Sequence, residues 1–257
     1  MDLGLRGRRA LVTASSSGLG RNIADGLAAE GTNLVLFARS EAKLQAVADE
    51  IADRHGVEVV AQPGSMLDET DVQRLAATLG ELGGPDIAVL VTGRPPTPLR
   101  ETLRETEQQR WEEAYQNQLA AVVQVVNGVV PLMQGRGWGR VIAITSAHAK
   151  QPMVGHALSQ VFRAGVSAYM KGLAAELGPE GITVNCVAPA LIDTSHRTGA
   201  AAYTDTQTHH RKGLTPLGRL GTQEELSAVV SFLASQQAGF ITGSTVAVEG
   251  GMVGALF

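Results

Sequence analysis

The sequence predicts a doubly wound α/β fold, with a seven-stranded parallel sheet and helices on both faces. Seven short runs rich in Val, Ile, Leu and Ala recur along the 257 residues. They are apolar almost throughout, as expected for parallel strands covered on both sides. Helix-length sequence separates each run from the next, and such crossovers are right-handed. The predicted strands are Ala10–Thr13, Leu34–Phe37, Val57–Ala61, Ile87–Val91, Val141–Ile144, Thr183–Val187 and Thr245–Val248.

The segments between the runs carry helical spacing and helix punctuation. Glu41–Arg54 has apolar residues along one helical face, Ser40 as an N-cap and Gly56 as its end. Thr222–Ala234 opens with the Thr-x-x-Glu pattern of a capping box, completed by Glu225. Both segments therefore predict amphipathic helices.

Residues 194–213 interrupt this alternation. They are polar, rich in Thr, Ala and His, and lack strong periodicity. A long irregular excursion beside the strand ends is typical of a mobile substrate lid. Because no linker, internal repeat or low-complexity segment is visible, we expect residues 1–257 to form one domain.

Composition excludes several classes of partner. A formal net charge of −4 and a pI near 5.9 give no general attraction to nucleic acid or anionic membrane, which leaves a small-molecule substrate. The apolar stretch Leu119–Met133 contains Gln124, Asn127 and Gly128, so it predicts a buried helix rather than a membrane span.

Cys186 is the only cysteine, so no intrachain disulfide is possible. No Cys/His cluster indicates a metal site, and we expect none. The first residues lack the long apolar run of a signal peptide. These features together predict a cytoplasmic protein.

The first strand leads into the turn 13–20, Thr-Ala-Ser-Ser-Ser-Gly-Leu-Gly, and then into helical sequence. Glycines allow close approach of backbone to a pyrophosphate, and the helix N-terminus offers N–H donors. The turn resembles the TGxxxGxG pattern of the short-chain dehydrogenase/reductase family, with Ala14 at the first glycine. Because alanine disfavours positive φ, the turn must use another φ or an altered geometry. A purely packing role for Gly18 and Gly20 is the alternative.

The end of the second strand bears on cofactor choice. Arg39 and Ser40 stand where an NAD-selective member of the family would usually place an acidic residue. A cation and a hydroxyl there suit a 2′-phosphate, so we expect NADP(H) to be favoured over NAD(H). The alternative is that Arg39 is only a solvated residue at a helix start.

Further landmarks of the family follow in order along the chain. Gly93 retains the last glycine of the family's NNAG, and Ala190 replaces a glycine after the sixth strand. The remaining matches are 139–146, 182–189, 216–219, 241–243 and 250–251. The resemblance implies a Rossmann-type oxidoreductase that forms dimers or tetramers through helices in 111–133 and 160–177. It also implies cofactor contacts from Thr13, Ser15, Ser16, Ser17, Gly18, Leu19, Gly20, Arg39, Ser40, Ser65, Gly93, Arg163, Pro189, Ile192 and Thr194.

The catalytic segment departs from the family pattern. Ser146 matches the family serine, and a tyrosine is expected thirteen residues later with a lysine four residues beyond it. Those positions hold Ser159 and Arg163, and the Ala-Gly pair after Arg163 fixes the register. Gln118 stands where the family has a supporting asparagine. Tyr169 lies too far along and is expected to pack.

The substitutions remove the family's proton donor. A serine hydroxyl lacks the acidity of a phenol, and arginine stays protonated, so this pair cannot run the same relay. We therefore assign catalytic roles to Ser146, Ser159, Arg163, Gln118 and Lys150, with an unidentified residue or a water as proton source. Other candidate donors are His148, His156, Tyr203, His209 and His210, each with an ordinary surface role as its alternative.

Three functions remain open at this point. The leading hypothesis is an NADP(H)-dependent oxidoreductase acting on a carbonyl, an alcohol or a related polarised double bond. The second is a lyase, isomerase or dehydratase without net redox chemistry. The third is a catalytically inactive binding or regulatory homologue, since one scaffold supports many functions.

Overall fold

The computed structural model describes residues 2–194 and 204–256, and it contains a seven-stranded parallel sheet in the order β3-β2-β1-β4-β5-β6-β7. This confirms the predicted fold class. The strands are β1 (Arg9–Thr13), β2 (Asn33–Ala38), β3 (Val59–Pro63), β4 (Ile87–Val91), β5 (Gly139–Ile144), β6 (Ile182–Pro189) and β7 (Thr245–Val248).

Helices connect the strands and cover both faces of the sheet. They are α1 (Gly18–Ala29), α2 (Glu41–His55), α3 (Glu69–Glu81), α4 (Gln108–Tyr115), α5 (Ala121–Val129), α6 (Ala157–Leu177), α7 (Asp205–Gly213) and α8 (Gln223–Ala234). A π-helical turn, Gln116–Ala120, joins α4 to α5. No helix in the described part of the chain is long and apolar enough to cross a membrane.

The strand boundaries agree with the predictions to within two residues, and β3 both begins and ends two residues later than expected. Both hydrogen bonds of the predicted capping box form at Thr222 and Glu225. The segment 194–213 was predicted to be irregular, and this was wrong in part, because α7 occupies its second half. Residues 195–203 of that segment lie outside the described residues.

Alternate residues of each central strand enter two separate cores. Val12 and Leu36 face the layer formed by α1, α2 and α8, whereas Leu11 and Val35 face α3, α5 and α6. Burial on both faces explains why the strands read as continuous apolar runs. The central strands are therefore packed on both faces, and this packing fixes the positions of their carboxyl ends.

The carboxyl-terminal edge of the sheet gathers the predicted site residues. The chain leaves β1 for the glycine turn, β4 for Gly93, β5 for Ser146 and β6 for Ala190. Strand order reverses between β1 and β4, which is where ligands bind in open α/β sheets. The fold thus predicts a ligand cleft at this point.

Candidate active site

The glycine turn keeps a left-handed bend at Ala14. Its φ is +49°, and Gly18 has φ of +57°. A left-handed conformation costs an L-residue about 1–2 kcal/mol, which the surrounding structure must offset. Gly20 is indispensable for a second reason, because a Cβ there would lie 2.5 Å from the carbonyl oxygen of Ala14. The expectation of another φ or an altered geometry at Ala14 was wrong, because the left-handed φ is kept in spite of the side chain.

Polar atoms in this turn fit an anionic ligand. The N-cap residue Ser17 makes no side-chain bond to the first amides of α1. The hydroxyls of Ser15 and Thr92 are buried with no hydrogen-bond partner among the described residues, and buried unpaired hydroxyls call for an unseen partner. Ser16 is half-buried in the same turn. A helix N-terminus with such groups suits a pyrophosphate.

The Thr13 side chain is hydrogen-bonded within the sheet. Its hydroxyl donates to the carbonyl of Val91 at 3.0 Å and accepts from the Val91 amide at 2.8 Å. The side chain is fully buried. These two hydrogen bonds connect the end of β1 to the end of β4 and fix the start of the glycine turn.

The end of β2 presents an exposed cation. Arg39 and Ser40 are both exposed, and Arg39 makes no ion pair within the described part of the chain. Ser40 precedes α2 as its N-cap residue. Ser65, by contrast, is engaged in its own turn: its amide donates to Asp71 at 2.8 Å and its hydroxyl accepts from Leu67 at 3.2 Å. Arg39 is thus an exposed cation at the end of β2.

Arg163 is held by three acceptors at the centre of the site. Its Nη1 donates to the Ile144 carbonyl at 2.6 Å, its Nη2 to the Gly93 carbonyl at 2.9 Å, and its Nε to Gln118 Oε1 at 3.1 Å. The guanidinium therefore bridges the ends of β4 and β5. Burial lowers its pKa to about 10, so it remains a cation at neutral pH.

Gln118 lies in the π-helical turn and is fully buried. Its amide nitrogen donates to the carbonyls of Ala114 and Leu158, both at 3.3 Å, which fixes Oε1 toward Arg163. Such turns recur at functional sites. Gln118 and Arg163 are thus joined by a direct hydrogen bond.

A cleft of about 1000 Å³ opens beside this network. Ser146 and Ser159 both line it, as do the predicted residues Leu19, Pro189, Ile192 and Thr194. Ser146 Oγ accepts the His148 amide at 3.3 Å. Leu191, also in the wall, has φ of +52°, a second strained backbone position at the cleft.

Two histidines share this cleft wall. The rings of His148 and His156 lie 4.2 Å apart, centroid to centroid, and both line the cleft. Desolvation lowers the pKa of His148 to about 4, with smaller contributions from His156 and Arg211. His148 is therefore neutral at pH 7.

Other candidate proton donors are placed less favourably. Lys150 Nζ donates to the carbonyl of Thr245 on β7, 3.3 Å away, and Lys150 is not part of the described cleft wall. His209 and His210 are exposed on α7, and neither belongs to that wall. Tyr203 lies outside the described residues. Tyr169, a residue of α6, packs against the hydrophobic core, as expected.

Sequence reasoning missed part of the cleft wall. Arg94 and Arg211 line the cleft, together with Pro95, Thr97 and Leu99 of the loop after β4. A buried ion pair anchors this loop: Arg110 donates to Glu105 at 2.8 Å and to the Pro98 carbonyl at 2.7 Å. The position of Arg94 directly after Gly93 was the available signal.

Comparisons with known proteins match the whole chain. A family model described as Enoyl-(Acyl carrier protein) reductase matches residues 13–253. The 3-oxoacyl-(acyl-carrier-protein) reductase FabG of Aquifex aeolicus is 34% identical over 255 residues, covering 98% of this chain and 100% of that protein. Human dehydrogenase/reductase SDR family member 4 is 34% identical over 249 residues, covering 96% and 88%.

Solved structures give the same result. L-sorbose reductase from Gluconobacter frateurii, complexed with NADPH and L-sorbose, superposes with a TM-score of 0.91 at 30% identity. The superposition covers 100% of both chains. A putative gluconate dehydrogenase from Agrobacterium tumefaciens also superposes with a TM-score of 0.91, at 26% identity and with the same coverage.

Proposed function

Because this chain belongs to the short-chain dehydrogenase/reductase family, we propose that it is an NADP(H)-dependent oxidoreductase acting on a carbonyl, an alcohol or a related polarised double bond. The observation that carries the proposal is that the glycine turn is continuous with the cleft. The turn, which contains Gly20, adjoins the cleft lined by Ser146 and Ser159. Leu19 belongs to both the turn and the cleft wall.

The cofactor side of the proposal depends on backbone and charge. The amides at the start of α1 would hold the pyrophosphate, and Arg39 with Ser40 would hold the 2′-phosphate. The relatives agree with this choice, since the L-sorbose reductase was solved with NADPH. When bound, the nicotinamide supplies or accepts a hydride.

The substrate side depends on hydrogen bonds and positive charge. Ser146 can donate its hydroxyl proton to the reacting oxygen, while Arg163 holds the ends of β4 and β5 beside it. Arg94 and Arg211 add positive charge to the wall, and no carboxylate is among its described residues. This environment stabilises negative charge that develops on a substrate oxygen.

The proton source differs from the family's usual tyrosine. Ser159 occupies the tyrosine position in the cleft, but an alcohol is too weak an acid for the task. Losing a general acid raises a barrier by about 3–5 kcal/mol, so activity requires a replacement donor. The proposal therefore includes a proton donor of another type.

The test is NADPH and NADH binding, measured by nicotinamide fluorescence, followed by turnover with L-sorbose and acetoacetyl-coenzyme A as probes. We expect Arg39→Ala to weaken NADPH binding by about 10–100-fold and to leave NADH binding unchanged, because only NADPH carries the 2′-phosphate. Arg54→Ala is the matched control. It removes the same charge from the far end of α2, where Arg54 pairs with Asp25 and Glu50.

Each result has a defined meaning. Binding of neither dinucleotide would overturn the proposal. Binding without NADPH oxidation would favour the inactive homologue, and product formation without net cofactor turnover would favour the lyase or isomerase. An equal effect of Arg39→Ala and Arg54→Ala would remove Arg39 from the cofactor site.

We further propose that residues 194–213 close over the cleft and that the protein forms a homo-oligomer. Thr194, Arg211 and Leu214 already line the cleft, which supports the first proposal. The helices expected at subunit contacts expose Tyr115 and Val161, which supports the second. Sedimentation equilibrium measures the number of subunits.

A further inference from the structure

We propose that His156, paired with His148, is the proton donor that replaces the family tyrosine; this inference rests on the oxidoreductase function proposed above. The proton goes to the substrate oxygen bound near Ser146. Sequence alone did not separate His156 from the other candidate donors, and the structure distinguishes it from those among the described residues, His148, His209 and His210.

The first argument is placement. His156 is the residue before α6, and Ser159 follows it by three positions, so the two lie close along the first turn of that helix. Ser146 is connected to the same place through His148, whose amide it accepts and whose ring contacts His156. All four side chains line one cleft.

The second argument is the hydrogen bond that His156 already makes. Its Nδ1 lies 3.1 Å from the carbonyl oxygen of Val154, and a carbonyl can only accept, so Nδ1 carries a hydrogen. The neutral ring is thereby held as the Nδ1–H tautomer. Nε2 is consequently the nitrogen that releases a proton and takes one back.

The third argument is charge. Two rings with centroids 4.2 Å apart do not readily hold two positive charges, and His148 is the desolvated, neutral member of the pair. Arg211 also lines the described wall, and its charge contributes to keeping His148 neutral. His156 is therefore the member of the pair that we assign as the proton carrier.

The chemical step balances within the cleft. A hydride brings two electrons to the carbonyl carbon and forms the new C–H bond, while the π electrons of C=O move onto oxygen. The Nε2–H bond of protonated His156 breaks, and an O–H bond forms. His156 becomes neutral, and solvent water restores its proton.

The test compares His156→Gln with the wild type, using acetoacetyl-coenzyme A and L-sorbose as probes. We expect kcat at pH 7 to fall by about 10²-fold or more, as for loss of a general acid, with the NADPH dissociation constant unchanged. Wild-type kcat for reduction should fall as pH rises and the donor loses its proton. This descending limb should be absent in His156→Gln and partly restored by added imidazole.

A control separates proton transfer from surface effects. His55→Gln removes a histidine that contacts Asp25 at the end of α2, and it should leave both kcat and the pH profile unchanged.

The two proposals fail in different ways. If His156→Gln retains kcat within threefold and keeps the descending limb, His156 is not the donor and the oxidoreductase function stands. If the wild type oxidises NADPH with neither probe, both proposals fall. If activity is lost with no change in NADPH binding and imidazole and pH have no effect, His156 has only a structural role.

Discussion

The two halves of the site respond differently to substitution. In the turn between β1 and α1, one family glycine is replaced by Ala14, and the backbone retains the left-handed bend. At the start of α6, Ser159 and Arg163 stand where the family resemblance predicts a tyrosine and a lysine, and Arg163 donates to three acceptors. The turn reaches its backbone geometry with strain at Ala14, while for the start of α6 we propose a different proton-transfer chemistry.

The difference follows from the chemical groups on which each half depends: backbone groups in the turn and side chains at the start of α6. Phosphate binding depends on backbone amides and the helix N-terminus, which any residue supplies once φ is reached. Proton transfer depends on the pKa and position of one side chain, which no backbone can replace. On the function proposed above, cofactor binding should therefore survive the substitutions in this chain, whereas another side chain has to donate the proton.

The largest expected effect tests the glycine turn between β1 and α1, the half of the site that uses backbone groups. We expect Gly20→Ala to weaken NADPH binding by about 10²-fold or more and to reduce the free energy of unfolding by about 3–4 kcal/mol. The reason is that the new Cβ would meet the Ala14 carbonyl oxygen at 2.5 Å, and backbone cannot move aside without opening the turn. Fluorescence titration and urea denaturation measure the two quantities.

Gly80→Ala is the matched control for this change. Gly80 lies within α3 and is exposed, and a Cβ added there would have no neighbouring atom within 4 Å among the described residues. Alanine there should stabilise the protein by about 0.5–1 kcal/mol, with no change in cofactor binding. Unaltered NADPH binding by Gly20→Ala would contradict the assignment of the turn as the phosphate site.

An intermediate effect on stability and activity is expected at the start of α6, the half of the site that uses side chains. Arg163→Met should lower the free energy of unfolding by about 2–3 kcal/mol, because the carbonyls of Ile144 and Gly93 and the amide of Gln118 all lose a charged donor. Urea denaturation measures this loss. It should be accompanied by lower kcat, since Arg163 also fixes the ends of β4 and β5 beside the substrate.

Lys171→Met provides the comparison on the same helix. Lys171 is also a cation that donates to a backbone carbonyl, that of Gly243 at 2.9 Å, but its side chain is exposed. Its loss should cost no more than about 0.5 kcal/mol. Equal destabilisation by the two variants would show that Arg163 is an ordinary surface cation rather than the centre of a partly buried hydrogen-bond network.

The fold was predictable from sequence because its main signals are local or periodic. Strands buried on both faces have continuous apolar sequences, and the capping-box residues Thr222 and Glu225 mark the start of α8. The second half of 194–213 was missed because α7 is polar along most of its length, which leaves no apolar stripe to detect.

The site was predictable only where its residues follow a fixed spacing. Ser146, Ser159, Arg163 and Gln118 were found by counting along the chain, and the structure brings them to one place. The contact between His148 and His156 depends on how the loop after β5 folds back onto α6, which no spacing encodes. Lys150 illustrates the converse: it lies close in sequence to Ser146, yet its side chain bonds to β7.

The smallest expected effect tests the backbone strain at Ala14 in the glycine turn. Ala14→Gly should raise the free energy of unfolding by about 0.5–1 kcal/mol, because glycine adopts φ near +49° without the steric penalty of alanine, although part of the gain is lost to the greater freedom of unfolded glycine. Ala46→Gly is the control, since Ala46 is exposed within α2 and the same replacement there should destabilise by a similar amount. Urea midpoints that shift in opposite directions would establish the strain at Ala14. If both variants are destabilised equally, Ala14 carries no strain, and the family glycine was replaced here without energetic consequence.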